Sequence, residues 1–120
     1  MEIKTISAEE LKAKLDKKEN FKLVMTFHEW AFKAKHIPGS INIFSVESAI
    51  GKIDPSDEIV VYCVNEMCAA SITAYKILES QGFTNVLRFA GGLEAWEAAV
   101  YEFEGSDISK DIEIDNSLFT

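Results

Sequence analysis

Two cysteines, Cys63 and Cys68, carry the most nucleophilic side chains of the sequence and stand five positions apart. The apolar, β-branched run 59–62 leads directly into Cys63 and predicts a buried strand. A short polar loop follows, and the small residues from Ala69 onward begin a helical pattern. This order places the Cys63 thiol between a strand end and a helix N-terminus, where partial positive charge favours the thiolate. We therefore predict that the loop is a reactive site.

The rest of the chain alternates between strand-like and helix-like segments, which is typical of a parallel sheet covered by helices on both faces. A capping box at Ser7–Glu10 marks the start of the first helix. Predicted strands cover residues 3–6, 21–27, 41–43, 58–62 and 85–89, and predicted helices cover 8–18, 29–35, 45–50, 69–81 and 93–101.

Composition and charge limit the classes of function. The 120 residues are 48% hydrophobic and 27% charged, with a net charge of −8 and no basic cluster, which argues against nucleic acid and anionic membranes as partners. Residues 1–4 lack the apolar core of a signal peptide, so we expect a cytoplasmic protein. In that compartment we expect the two cysteines as thiols. Whether they can bridge depends on a Cα separation within about 7 Å.

The last sixteen residues differ in character from the rest. Residues 105–120 hold four acidic residues against one lysine, together with five large apolar residues. That apolar content exceeds the needs of a linker. We predict a domain at 1–104 and an acidic tail at 105–120 that docks on this chain or on a second copy, so a homodimer is one possible assembly.

Four short motifs, in order, give the sequence a family resemblance. They are HIPGSIN at 36–42, VYC at 61–63, GF at 82–83 and GGLEAW at 91–96. Together they resemble the landmarks of rhodanese-like domains. The resemblance implies an α/β fold: a single rhodanese-like domain with a five-stranded, mostly parallel sheet flanked by helices on both faces.

The resemblance also implies an activity and a site. Members pass a sulfane sulfur from a donor such as thiosulfate, polysulfide or a persulfide to a cysteine, and then to a thiol or a cyanide-type acceptor. By this correspondence Cys63 is the catalytic nucleophile. His28 follows the second strand, and its ring could face Cys63. The residues implied in substrate binding are Val64, Asn65, Glu66, Met67, Cys68, Ala69 and His28.

The loop departs from the common family pattern, in which it carries a glycine and ends in arginine and serine. Here it holds Glu66 and no cation, and it resembles a subgroup that has a second cysteine at the place of Cys68. Thr26 and His28 stand where many members carry an acidic and a basic residue.

Several alternatives stay open at this point. Cys68 either resolves a persulfide on Cys63 or packs as a small apolar residue, and His28 is either a proton donor or a polar loop residue. The whole chain is a sulfurtransferase, a thiol–disulfide redox module, or a non-catalytic binding domain, with a cysteine phosphatase ranked last. No paired Cys or His spacing is typical of zinc, so we expect neither a metal nor an organic cofactor.

Overall fold

The computed structural model describes residues 3–114, which form a parallel sheet with helices on both of its faces. The strands are β1 (Lys22–Met25), β2 (Ile41–Asn42), β3 (Ile59–Tyr62) and β4 (Val86–Phe89), in the spatial order β2-β1-β3-β4. The helices are α1 (Ala8–Asp16), α2 (Glu29–Ala34), α3 (Val46–Ala49), α4 (Ala69–Ser80) and α5 (Gly92–Ala98). None of these helices combines the length and the apolar character that crossing a membrane requires.

Strand β3 lies between β1 and β4, and all four of its residues are buried. Its last residue, Tyr62, is in register with Met25 of β1 and with Phe89 of β4. The carboxyl ends of the three strands therefore meet at one edge of the sheet, and Cys63 comes directly after that edge. This is the edge at which open α/β sheets bind ligands.

Side chains of β3 alternate between two apolar layers, as the two-residue period of a strand requires. Val60 and Tyr62 belong to a first core cluster, which also contains Leu11 of α1, Ala31 of α2 and Trp96 of α5. The second core cluster lies on the opposite face, under α4, and includes Val24, Ile59, Val61, Tyr75 and Phe83. The sequence-based prediction of an α/β fold with helices on both faces is confirmed.

The strand count differs from the prediction of five. In the described part of the chain the sheet has four strands, and the first segment contributes only a parallel bridge between Thr5 and Arg88. Ser7 ends this segment, because its hydroxyl accepts a hydrogen bond from Glu10 N at 3.1 Å while Glu10 Oε1 accepts one from Ser7 N. The predicted capping box is thus present, and it starts α1 before a fifth strand can lengthen.

The segment after α5 turns back along α2. His36 and Glu104 form an antiparallel bridge, with N···O distances of 2.8 and 2.9 Å. The Asp107 amide then donates to the Ala34 carbonyl at 3.0 Å. Further along, Ile112 and Ile114 pack against the first core cluster. The first part of the predicted acidic tail thus lies on its own domain, while its apolar residues Leu118 and Phe119 fall outside the described residues.

Candidate active site

The two cysteines are joined by a disulfide bond, with their Cα atoms 6.2 Å apart. Cys63 follows the last residue of β3, and Cys68 is the N-cap residue of α4. Their side chains are 1% and 0% exposed. The expectation that both are thiols is therefore wrong for this state of the protein. A spacing of five does not fix the Cα separation, and here the loop folds back tightly enough to bring it within disulfide range.

Asn65 gives the cysteine loop, residues 63–68, its tight turn. Its carbonyl accepts a hydrogen bond from the Cys68 amide at 3.1 Å, and its side-chain Oδ1 accepts one from the Met67 amide at 2.9 Å. Asparagine favours such turns because its short side chain mimics a backbone acceptor. Asn65 Nδ2 also donates to the Glu94 carboxylate of α5. The turn is thus fixed from inside and from the neighbouring helix.

The first turn of α5 holds the carbonyl side of the loop. The Leu93 amide donates to the Cys63 carbonyl and the Glu94 amide to the Val64 carbonyl, both at 3.0 Å. This approach is possible because residue 92 is a glycine with φ of +57°, and a Cβ atom there would lie 2.2 Å from the Cys63 oxygen. The second glycine of the GGLEAW motif therefore has a direct role in positioning the cysteine loop.

The amide side of the loop has unused donors. Among residues 3–114, no acceptor receives a hydrogen bond from the backbone N–H groups of Val64, Asn65 or Glu66. Successive unpaired amides in a turn can bind an anion. Val64 is buried, whereas Glu66 is exposed and Met67 is 74% exposed. The loop therefore has an enclosed start, next to Cys63, and an open outer part.

His28 lies at the same edge of the sheet, as the N-cap residue of α2. Its ring is stacked on Trp30 at a centroid distance of 6.1 Å, and the edge of Phe27 meets it at 4.7 Å. Thr26 secures the connection between the strands, because its amide donates to the Tyr62 carbonyl at 2.9 Å and its hydroxyl at 3.2 Å. A role for His28 at the cysteine stays a prediction.

Tyr62 supports the site from below, a function that its place in an apolar strand did not signal. Its hydroxyl accepts a hydrogen bond from the Ile37 amide at 3.0 Å and shares one with Ser40 Oγ at 2.9 Å. The HIPGSIN turn is thereby tied to the strand that carries Cys63. Burial of the phenol raises the pKa of Tyr62 well above its usual value.

Arg88 provides a cation that the cysteine loop itself lacks. This residue of β4 is only 7% exposed, and its side chain extends to the underside of the loop. Nε donates to Ser71 Oγ at 2.9 Å, and Nη2 donates to the Glu66 carbonyl at 3.1 Å. Burial lowers the pKa of Arg88, and the charge of Glu66 partly opposes that effect. The loop motif gave no indication of this residue, and the one sequence signal for it is an arginine inside the otherwise apolar strand 86–89.

A cavity of about 400 Å³ opens beside the start of the loop. Its apolar wall consists of Val64, Leu93, Ala98 and Ile112. Three carboxylates and one lysine line the remainder, and the lysine, Lys35, is itself buried and lies 3.6 Å from Glu97. The acidic residues at the rim are Glu94, Glu97 and Asp111. The exposed rim of this cavity is thus acidic, whereas the two cations near the loop, Lys35 and Arg88, are buried.

The fold and the loop define an α/β domain with a cysteine at the carboxyl end of its central strand. The family model "Rhodanese-like domain" matches residues 7–99, so the chain belongs to the rhodanese-like domain family. The thiosulfate sulfurtransferase GlpE of Pseudomonas savastanoi pv. phaseolicola is 36% identical over 69 residues, which are 56% of this chain and 63% of that protein. GlpE of Pseudomonas syringae pv. syringae is 35% identical over 68 residues, covering 55% and 62%. The match thus spans about three fifths of these relatives.

Solved structures show the same architecture. The solution structure of a rhodanese-like domain from Anabaena superposes with a TM-score of 0.74 at 25% identity, covering 96% of this chain and 92% of that one. A Bacillus halodurans protein gives a TM-score of 0.75 at 23% identity, with 91% and 85% covered. A thiosulfate sulfurtransferase from Pseudomonas aeruginosa gives 0.75 at 22% identity, with 88% of this chain and 21% of that one covered. The last two similarities support the fold alone.

Proposed function

We propose that the protein is a sulfurtransferase that carries a sulfane sulfur as a persulfide on Cys63. The observation that carries this proposal is the placement of Cys63 at the carboxyl end of β3, in a loop with three amides that lack acceptors among the described residues. A persulfide is anionic near neutral pH, and such amides suit an anion without a cationic side chain in the loop. The curated relatives, named thiosulfate sulfurtransferases, support the same class of reaction.

The reaction needs the reduced protein and consists of two displacements on sulfur. The Cys63 thiolate attacks the outer sulfur of the donor, the new S–S bond forms, and the donor leaves as sulfite from thiosulfate or as a thiolate from a persulfide. An acceptor thiolate then attacks the outer sulfur of the Cys63 persulfide. The acceptor leaves as a persulfide, and the Cys63 thiolate is restored without net oxidation of the protein.

The residues that we propose for binding are those of the loop, Val64–Ala69, with His28 at the neighbouring strand end. The loop amides would hold the transferred sulfur, and the imidazole would supply a proton to the leaving group. Small donors (thiosulfate, polysulfide or a persulfide) and a thiol acceptor are the partners that this chemistry needs. A reducing compartment such as the cytoplasm would keep Cys63 available.

The disulfide favours a second candidate function, a thiol–disulfide module. Starting from the Cys63 persulfide, the Cys68 thiolate can attack Cys63 Sγ, so that the intramolecular disulfide forms and hydrogen sulfide leaves. The outer sulfur is reduced to sulfide, and both cysteines are oxidised. An external dithiol would then reduce the disulfide. The Cα separation of 6.2 Å supports this step, because the two sulfurs reach each other without unfolding of the loop.

Intact-mass measurement separates these functions. The protein is reduced, freed of reductant under nitrogen, and incubated with thiosulfate or polysulfide. Sulfurtransferase chemistry predicts a gain of one sulfur atom that Cys63→Ser abolishes and that Cys68→Ser retains. The redox module predicts loss of two hydrogens with release of sulfide, blocked by either substitution. A folded, reduced protein that shows neither change would refute both functions and leave a binding domain.

A further inference from the structure

The cysteine loop contains no cation, yet the fold brings one to it from another strand. Glu66 is the one ionisable side chain between the two cysteines in sequence. Arg88 belongs to β4, where it is in register with Val61, two residues before Cys63. With strand spacings of about 4.8 Å and a rise of about 3.3 Å per residue, the Cα atoms of Arg88 and Cys63 lie about 8 Å apart. An arginine side chain can span much of that distance.

The contacts of Arg88 are unusual for a buried arginine. Its side chain makes no ion pair with a carboxylate in the described part of the chain. Its two side-chain hydrogen bonds go to neutral oxygen atoms, the Glu66 carbonyl oxygen and Ser71 Oγ. Nη1 donates to no acceptor among residues 3–114. Buried charges are normally paired, because their desolvation is unfavourable. The Glu66 carboxylate acts on the charge of Arg88 only beyond ion-pair distance, so the guanidinium can also stabilise an anion that forms at the loop.

We propose that Arg88 is the positioning cation of this site: it fixes the cysteine loop through the Glu66 carbonyl and supplies positive charge to an anionic sulfur on Cys63. This inference deepens the proposed sulfur transfer and rests on it. Because Nη2 holds the Glu66 carbonyl, it helps to keep the turn in which the Val64, Asn65 and Glu66 amides have no acceptor among the described residues. Arg88 contacts the loop and not the transferred sulfur, so it acts through position and charge.

The test measures the thiol pKa of Cys63, a property that does not depend on sulfur transfer. In a Cys68→Ser background Cys63 is the one remaining cysteine, and its alkylation by iodoacetamide is followed from pH 5 to 10 by intact mass. Other ionisable groups of the loop and of the cavity beside it are Glu66, Glu94, Glu97, Lys35 and Asp111, and they stay the same in all variants, as does His28 at the neighbouring strand end. For a charge-to-sulfur distance equal to the Cα separation of about 8 Å, and an intermediate dielectric, loss of the Arg88 charge should raise the thiol pKa by about one unit.

Three further substitutions separate the charge from the hydrogen bond to Ser71. Arg88→Met removes the charge and both hydrogen bonds, Arg88→Gln removes the charge but keeps a donor for Ser71 Oγ at the place of Nε, and Ser71→Ala keeps the charge. We expect the rise of about one unit in the first two and less than about 0.3 unit in Ser71→Ala. Lys76→Met, on the exposed side of α4, removes one positive charge away from the loop and should leave the pKa unchanged.

The outcomes also distinguish this inference from the proposed function. A thiol pKa that is the same in the parent, Arg88→Met and Arg88→Gln, with each variant folded by circular dichroism, would overturn the inference. If Arg88→Met does not fold, Arg88→Gln alone decides. A protein that shows the pKa shift but never gains sulfur would instead refute the sulfurtransferase. If sulfur loading is equal with and without Arg88 and the thiol pKa does not shift, the proposed sulfur transfer stands and the role of Arg88 is refuted.

Discussion

Substitution of Gly92 by alanine should disconnect the cysteine loop from α5. The new Cβ atom would lie 2.2 Å from the Cys63 carbonyl oxygen and 2.8 Å from the Val64 carbonyl carbon, both of which are backbone atoms. Contacts under 3.0 Å force a shift, and the loop must therefore move away from the helix by about 1 Å. That movement breaks the hydrogen bonds from the Leu93 and Glu94 amides to the loop.

The magnitude follows from two contributions. A non-glycine residue at a positive φ of +57° costs about 1 kcal/mol. Loss of two backbone hydrogen bonds adds about 1 kcal/mol each, so the free energy of unfolding should fall by about 3 kcal/mol. Because the loop moves, sulfur loading on Cys63 should also fall at least tenfold, since small displacements of catalytic groups have large effects on rate.

Gly82→Ala is the matched control. Gly82 also has a positive φ, of +91°, but a Cβ atom there meets nothing within 4 Å. It should lose about 1 kcal/mol and retain full sulfur loading. Urea unfolding of both variants, with intact-mass analysis after incubation with polysulfide, makes the comparison. Equal destabilisation of the two variants, or normal loading of Gly92→Ala, would refute a positioning role for the close approach at residue 92.

Three other predictions concern the disulfide, Tyr62 and the tail. In urea unfolding, Cys68→Ser should be about 2 kcal/mol less stable than the oxidised parent, because it lacks the cross-link that closes a short loop. Its stability should equal that of the reduced parent. A variant as stable as the oxidised parent would contradict this. Because burial raises the folded-state pKa of Tyr62, its stabilising contribution is complete below about pH 10 and is lost as pH rises further. The difference in unfolding free energy between pH 8 and pH 11 should therefore be smaller in Tyr62→Phe than in the parent. Equal differences in the two proteins would refute this. A chain that ends at residue 104 should stay folded but lose about 2 kcal/mol with the contacts of Ile112 and Ile114, whereas a chain that fails to fold would place the domain boundary elsewhere.

Much of the architecture could be predicted because local sequence patterns specify its strands and helices. The β-branched run before Cys63 and the small residues after Cys68 specify a strand, a loop and a helix, whatever the rest of the chain does. The four motifs fix the family, and the family match covers residues 7–99. The prediction of a fifth strand was wrong because a local apolar pattern does not show how far a segment pairs with its neighbour, and the segment before Ser7 forms one parallel bridge, between Thr5 and Arg88.

Contacts between distant segments could not be read from the sequence in the same way. The disulfide depends on the turn at Asn65, since a spacing of five is compatible with open and closed loops. The cation of the site comes from Arg88, 22 positions after the residue that it binds, so an inspection of the loop alone finds only Glu66. Gly92 likewise acts on Cys63 across the sheet edge. Such pairs are fixed by register and packing.

The central claim is that Cys63 carries sulfur, and site-resolved mass analysis of the loaded protein tests it most directly. The reduced protein is exposed to polysulfide, trapped with an alkylating agent, digested, and the peptides that contain Cys63 and Cys68 are weighed separately. We expect one additional sulfur atom on the Cys63 peptide and its transfer to an added thiol. An unmodified Cys63 in a folded, fully reduced protein, or sulfur found on Cys68 alone, would contradict this claim.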